Sequence, residues 1–123
     1  MENIAFQAIN NGSRVPVSPA QPLPVMLSTS YETVAASQTA QVLGSTGAVG
    51  DYLAGLLVIP ATTSPGVVTL LDGSTSIPVF VGGATSVSSL APFFITCGMK
   101  CVGSGWKVTT GANVSVIGVG NFV

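Results

Sequence analysis

The sequence predicts an all-β protein, an antiparallel β-sandwich with an extended N-terminal arm. Three apolar runs cover residues 52–59, 67–71 and 77–81, and the segments PATTSPG and DGSTS separate them. Short runs of Val, Ile, Leu and Phe between Pro, Gly, Asp and Ser are typical of strands. The three prolines within this stretch would interrupt any helix. We therefore expect three consecutive antiparallel strands here and, from the spacing of the turn residues, seven or eight strands in two sheets.

The composition indicates a protein that associates with other chains. Charged residues make up 6% of the 123 residues, the hydrophobic fraction is 47%, and the mean hydropathy is +0.68. Ordinary domains carry about 25% charged residues. So few charges leave much of the surface of a single domain apolar. We therefore expect part of that surface to be buried in an oligomer.

Membranes and nucleic acids are not expected partners. The longest apolar run, residues 53–61, is well short of the roughly 18–20 residues that a spanning helix needs. The three cations, Arg14, Lys100 and Lys107, form no basic patch for phosphates. The N-terminal sequence lacks a basic region followed by an apolar core, so we expect no secretory signal and synthesis in a cytoplasm.

Residues 1–30 differ from the rest and form the predicted arm, while residues 31–123 form the sandwich domain. Four prolines lie two or three residues apart in VPVSPAQPLPVML, which excludes an inner strand and favours an extended, polyproline-like chain. Apolar residues alternate before this stretch and resume after it. The arm either lies along another subunit or folds back on its own domain. In the first case the candidate partner-binding residues are Phe6, Pro16, Pro22 and Leu27.

The central strands are apolar on both faces. Residues 31–43 favour one or two strands, and residues 44–50, GSTGAVG, form a loop by composition. In the run that follows, alternation predicts one face with Leu53, Leu57 and Ile59 and another with Tyr52, Leu56 and Val58. Because only one face of a sandwich sheet covers the core, we expect the other face to meet a neighbouring molecule.

The C-terminal half continues the same pattern. Asp72-Gly73 is a strong turn signal. Residues 90–99 predict a strand with Phe93, Ile95 and Cys97 on one face, and Pro92 places its start at an edge or a bulge. The last segment predicts a hairpin at Gly111 between two alternating strands that carry Trp106, Val108, Val114 and Val116. We expect Trp106 to be a core or rim anchor.

Groups for catalysis or metal binding are scarce. The chain has no histidine, and its carboxylates are Glu2, Glu32, Asp51 and Asp72. Asp51 and Asp72 adjoin glycines at loop ends, where an Asp side chain commonly caps backbone amides. Cys97 and Cys101 lie about 13 Å apart in an extended strand, so we expect reduced, partly buried thiols. We therefore predict no enzyme activity, no metal or other cofactor, and no small-molecule substrate.

Two segments resemble a known class of proteins. The segments GAVGDYLAGLLVIPATTSPGVVTLLDGS…IPVFVGG and GWKVTTGANVSVIGVGNF are similar to those of small head proteins of tailed bacteriophages, in the capsid decoration (cement) class. The likeness covers about residues 47–122 and consists of strand and turn patterns. It implies a compact sandwich or jelly roll that attaches to the capsid surface of the virion as an oligomer, with a homotrimer as the expected form. It also implies the major capsid protein as the partner, whose shell the protein reinforces.

The alternative function is a receptor- or carbohydrate-binding module of a phage fibre or tail. Faces that bind sugars usually combine exposed aromatic and polar side chains. This chain has one Trp, two Tyr and five Phe, mostly within apolar runs, so decoration of the head is the preferred interpretation.

Overall fold

The computed structural model describes the backbone of residues 7–10 and 13–16 and all of residues 29–123, and this part of the chain is all β. The strands are β1 (Gln7–Asn10), β2 (Ser13–Pro16), β3 (Ser30–Val34), β4 (Gln41–Val42), β5 (Tyr52–Pro60), β6 (Val68–Asp72), β7 (Thr75–Phe80), β8 (Phe93–Lys100), β9 (Trp106–Thr110) and β10 (Val114–Asn121). The described residues include no helix that could cross a membrane.

Eight strands form two antiparallel four-stranded sheets, in agreement with the predicted number. The first sheet has the order β3-β10-β5-β8, and the second has the order β4-β9-β6-β7. Strands β1 and β2, both within the predicted arm, pair with each other in a separate two-stranded sheet.

The pairings in the two larger sheets are nested around one hairpin. Strands β6 and β7 form that hairpin at the predicted Asp72-Gly73 turn, where Gly73 has a φ of +61°. Outward from it, β5 pairs with β8, β4 with β9, and β3 with β10. The chain is thus arranged as one long antiparallel hairpin folded over into two layers, with β10 also paired to β5 and β9 to β6.

A single apolar core cluster draws side chains from both sheets, so the fold is sandwich-like. Its members, each exposed by 2% or less, are Val34, Leu43, Leu53, Leu56, Val58, Val68, Leu70, Cys101, Trp106, Val108, Val114 and Val116. Alternate residues of β6, β9 and β10 are buried, which is the period of a sheet with one face on a core. The indole N–H of Trp106 donates to the carbonyl of Asp51 at 3.0 Å, which confirms its predicted role as a core anchor.

Three sequence predictions about strand partners and faces are wrong. Strands β5 and β6 lie in different sheets, so residues 52–81 are not three consecutive strands of one sheet. Strands β9 and β10 also lie in different sheets, and the turn at Gly111 is therefore a crossing between layers. In both places the turn residues reverse the chain, but packing across the core decides which layer it enters.

The third error concerns the faces of β5. A register shift between Leu53 and Gly55 interrupts the simple alternation, so Leu53 is buried together with Leu56 and Val58. Leu57, which the alternation placed beside Leu53, lies on the outer face instead. A bulge adds one residue to one strand of a pair and changes the face of everything beyond it.

Candidate functional site

The three carboxylates in the described part of the chain all hold backbone amides. Asp51 accepts from the amides of Ala48 at 3.0 Å and Val123 at 3.3 Å. Glu32 accepts from the amide of Gly44 at 2.9 Å. The predicted capping role of Asp51 is therefore confirmed.

Asp72 holds the loop between β8 and β9. Its two carboxylate oxygens accept from the amides of Val102 at 2.9 Å, Gly103 at 2.9 Å and Ser104 at 3.1 Å. These bonds, that from Val102 foremost, lower the pKa of Asp72 from its ordinary value although burial opposes them. The capping role predicted for Asp72 is also confirmed, with partners about thirty residues away in sequence.

The two cysteines are free, as predicted. The Cys101 thiol is buried and donates to the carbonyl of Ala48 at 2.9 Å. Cys97 is half-buried on the inner side of β8, and burial raises the pKa of its thiol. The described residues contain no group of three or more His, Cys, Asp or Glu that could hold a metal ion.

The outer face of the first sheet is the main candidate surface, because it is apolar and nearly free of charge. The register places Thr33, Ile117, Leu57 and Phe94 in one row across all four strands. The neighbouring rows add Ile59 opposite Ser115 and Val119 opposite Tyr31. Tyr31 is 72% exposed and Phe94 is 49% exposed. Lys100 lies at one end of the face, opposite Tyr52.

Phe94 lies over Gly55, which makes room for its ring on this face. A Cβ at Gly55 would collide with the ring of Phe94 and with the carbonyl of Ile95. The aromatic ring thus covers backbone that a glycine leaves exposed. Such a contact helps to fix the register of a sheet. The ring still presents half of its surface to the outside.

The outer face of the second sheet is more polar. Its register places Thr69 opposite Thr109, and Leu71 opposite Lys107 and Ser76. Of the two described four-stranded sheets, the first therefore has the more apolar outer face; its contact with a neighbouring molecule stays a prediction. Leu57 and Leu71, both half-buried, occupy comparable outward positions on the two sheets and provide a matched pair for experiments.

An open cavity of about 380 Å³ adjoins the charged end of the first sheet's outer face. Asp51, Tyr52, Lys100 and Asn121 are among the residues that line it. The Asp51 carboxylate accepts from the backbone amides of Ala48 and Val123 beside this cavity.

The candidate partner-binding residues lie in the arm. Phe6, Pro22 and Leu27 are outside the described residues, and Pro16 ends β2 opposite Gln7. Their predicted role stays a prediction. The sequence predicted an outward apolar surface but did not identify Phe94 or Ile117 as part of it. The alternation of inward and outward side chains within β8 and β10 was the feature of the sequence that could have identified these two residues.

Comparisons with known protein families, with curated proteins and with solved structures found no match.

Proposed function

We propose that the protein is a virion structural protein, a capsid decoration protein of a tailed bacteriophage. It binds the major capsid protein and stabilises the head shell as a homo-oligomer, with a trimer as the expected form. It is made in the host cytoplasm and resides on the capsid surface. The observation that carries this proposal is the apolar outer face of the β3-β10-β5-β8 sheet, around Leu57, Ile117 and Phe94.

The chemistry of the surface favours a structural role. In the described residues the carboxylates Glu32, Asp51 and Asp72 are engaged by backbone amides, and the remaining charged side chains are Lys100 and Lys107. A surface with so few charges has little means of forming ion pairs with a partner. Contact through apolar burial, at about 25 cal/mol per Å², suits it better.

The strand arrangement supports a jelly-roll architecture. A jelly roll has eight strands in two sheets, with two Greek keys, and is common in viral capsid and lectin domains. The nested pairs from β6–β7 out to β3–β10, split over two sheets, are the pairs that result when a long hairpin is rolled up in this way. This architecture fits the resemblance to phage head proteins.

The attachment should depend little on salt. Ion pairs are screened by salt, whereas apolar burial is maintained or strengthened by excluded salts. The outer face of the first sheet would meet the capsid protein or a neighbouring copy with Leu57 and Ile117 near its centre. The polar outer face of the second sheet would remain in solvent.

Co-sedimentation with phage heads assembled without the protein tests this proposal. We expect saturable binding by the wild type, strong loss of binding by Leu57→Asp, and retained binding by Leu71→Asp. Both variants introduce the same charge at a half-buried outward position, one on each sheet. Failure of the folded wild-type oligomer to bind heads would overturn the decoration function. Equal loss of binding by the two variants would overturn the assigned face.

A further inference from the structure

Along each long side of the sandwich, an edge strand of one sheet lies beside an edge strand of the other. The two sides differ in how completely the core between the sheets is covered there. On the side of β3 and β4, Val34 and Leu43 are fully buried. The Gln41 side-chain amide donates to the carbonyl of Thr33 at 3.1 Å, and Glu32 accepts from the amide of Gly44 at 2.9 Å. Hydrogen bonds thus join the edges of the two sheets on this side.

The opposite side, between β7 and β8, is apolar and incompletely covered. These strands are the last in their sheets, and the rings of Phe80 and Phe93 meet edge to face with centroids 5.3 Å apart. The side chains that line this open side pack against the core yet remain partly exposed: Ile77, Val79, Phe80, Phe93, Ile95 and Cys97. An edge strand with such side chains is a template for another strand.

The connection between β7 and β8 does not close this side. It is held instead against the β5–β6 connection at one end of the sandwich. The amide of Gly83 donates to the carbonyl of Pro65 at 2.8 Å, that of Thr85 to the Ser64 hydroxyl at 3.0 Å, and that of Val87 to the carbonyl of Thr63 at 3.4 Å. The edge of β8 that faces away from β5 is therefore left without a partner among the described strands.

The chemistry of the open side defines what it can bind. Strand β7 carries no charge, and the charge of β8 is Lys100 at its end, beyond a bulge at Gly98, which has a φ of +64°. A matching partner is an uncharged extended segment with apolar side chains at alternate positions. It would gain backbone hydrogen bonds along β8 and bury its apolar row beside Phe93 and Ile95.

We propose that residues 4–10 of a second copy of this chain add to β8 and cover the open side. This segment, IAFQAIN, has no charge, and Ile4, Phe6 and Ala8 alternate along it. The proposal rests on the self-association within the proposed function and names the contact that produces it. It also gives Phe6 a specific place in the assembly.

The pairing of β1 and β2 explains which strand can be added. A two-stranded hairpin alone is only marginally stable in water, so β1 and β2 need a further contact. Strand β2 ends in Pro16, which lacks a backbone donor and suits an outermost edge. Strand β1 contains no proline, so its free edge can pair with β8 while β2 stays outside.

The position of β3 favours a second copy over the same chain. The arm joins the sandwich at Ser30 in β3, the edge of the first sheet farthest from β8. To reach its own β8 the arm would have to cross the outer face or pass around an end of the sandwich. If each copy instead places its arm on the next copy, no such crossing is required. Arms passed on in this way can produce a closed ring of copies.

Disulfide trapping with the native Cys97 tests the proposal on the purified full-length chain. Cysteine is placed in turn at Ile4, Phe6 and Ala8 in a Cys101→Ser background, and the products of mild oxidation are separated on non-reducing gels. Consecutive residues on one face of a strand are about 6.7 Å apart, so the three positions sample the register in which the added segment lies beside Cys97. We expect covalent multimers from at least one variant and none when Cys97→Ser is added.

Gln7→Cys is the matched control, because it shifts the thiol by one residue to the other face of the strand. Cross-linking of Gln7→Cys as efficient as that of all three test positions would overturn the proposal. A disulfide formed within single chains, or no disulfide with Cys97 at any position, would do the same. Because phage heads are absent from this experiment, its result is independent of whether the protein binds a capsid.

Discussion

Replacement of Phe94 by serine should weaken assembly while leaving the β fold in place. Phe94 is 49% exposed on the outer face of the first sheet. An aromatic side chain buries 150–250 Å², so the exposed half amounts to about 100 Å². At about 25 cal/mol per Å² its burial against another molecule contributes about 2.5 kcal/mol per contact. Since about 1.4 kcal/mol is tenfold in affinity, we expect Phe94→Ser to raise the dissociation constant by roughly 60-fold.

Sedimentation velocity over a range of protein concentrations measures this shift, and circular dichroism verifies the β fold of each variant. Val102→Ser is the control, because Val102 is 82% exposed but lies in the loop between β8 and β9 rather than on the sheet face. The reasoning is refuted if both variants change the dissociation constant equally, or if Phe94→Ser leaves it unchanged.

Asp72→Asn should lower the free energy of unfolding by about 2 kcal/mol, because Asn cannot accept from all the amides that the carboxylate holds. Since the folded-state pKa of Asp72 is lowered, its stabilisation is present above the ordinary pKa and is lost as the pH falls through the lowered value. Denaturant melts at pH 7 and pH 3 should therefore show a smaller deficit at the lower pH; an equal deficit would contradict the carboxylate's role. Removal of residues 1–30 should leave the β domain folded by circular dichroism, reduce its sedimentation mass, and speed alkylation of Cys97. Because burial raises the pKa of that thiol in the full-length protein, its alkylation there should need a higher pH than that of an ordinary thiol. Unchanged protection of Cys97 after truncation would argue against coverage by the arm. Phe6→Asp and Leu27→Asp should release the protein from heads far more than Lys107→Ala, whereas release by moderate salt with Phe6→Asp still bound would indicate an electrostatic contact.

Local features of the fold could be predicted from the sequence. The alternation of Val114, Ser115 and Val116, the Asp72-Gly73 turn, and the inner row of Phe93, Ile95 and Cys97 are all found as predicted. Each depends on side-chain period or turn chemistry over a few residues. That local dependence is why a single sequence suffices for them.

The assignment of strands to sheets could not be predicted in this way. Turn residues reverse the chain after β5 and after β9, but they do not determine whether the next strand joins the same layer. That choice follows from burial of Leu70 and Val108 against side chains of the other sheet, far away in sequence. The bulge beside Gly55 likewise depends on β8 and β10, and it decided which residues of β5 face outward.

The sequence predicted that an apolar outer surface exists, but not which residues form it. Low charge and strands that are apolar on both faces indicated an outward contact surface. The residues that form it could be identified only from the strand register, which aligns Leu57 with Ile117 and Phe94. The partners of Asp72 were beyond prediction for the same reason, since the amides of residues 102–104 reach it only in the folded chain.

The mass of the purified full-length protein at micromolar concentration tests most directly whether other chains cover its apolar surfaces. Sedimentation equilibrium at about 0.05 M and about 1 M sodium chloride is the measurement, since charge–charge contacts would weaken between these conditions. We predict a discrete oligomer whose mass is the same at both salt concentrations. An ideal monomer of 12.2 kDa at both, or an oligomer that dissociates at the higher salt concentration, would contradict assembly through apolar burial.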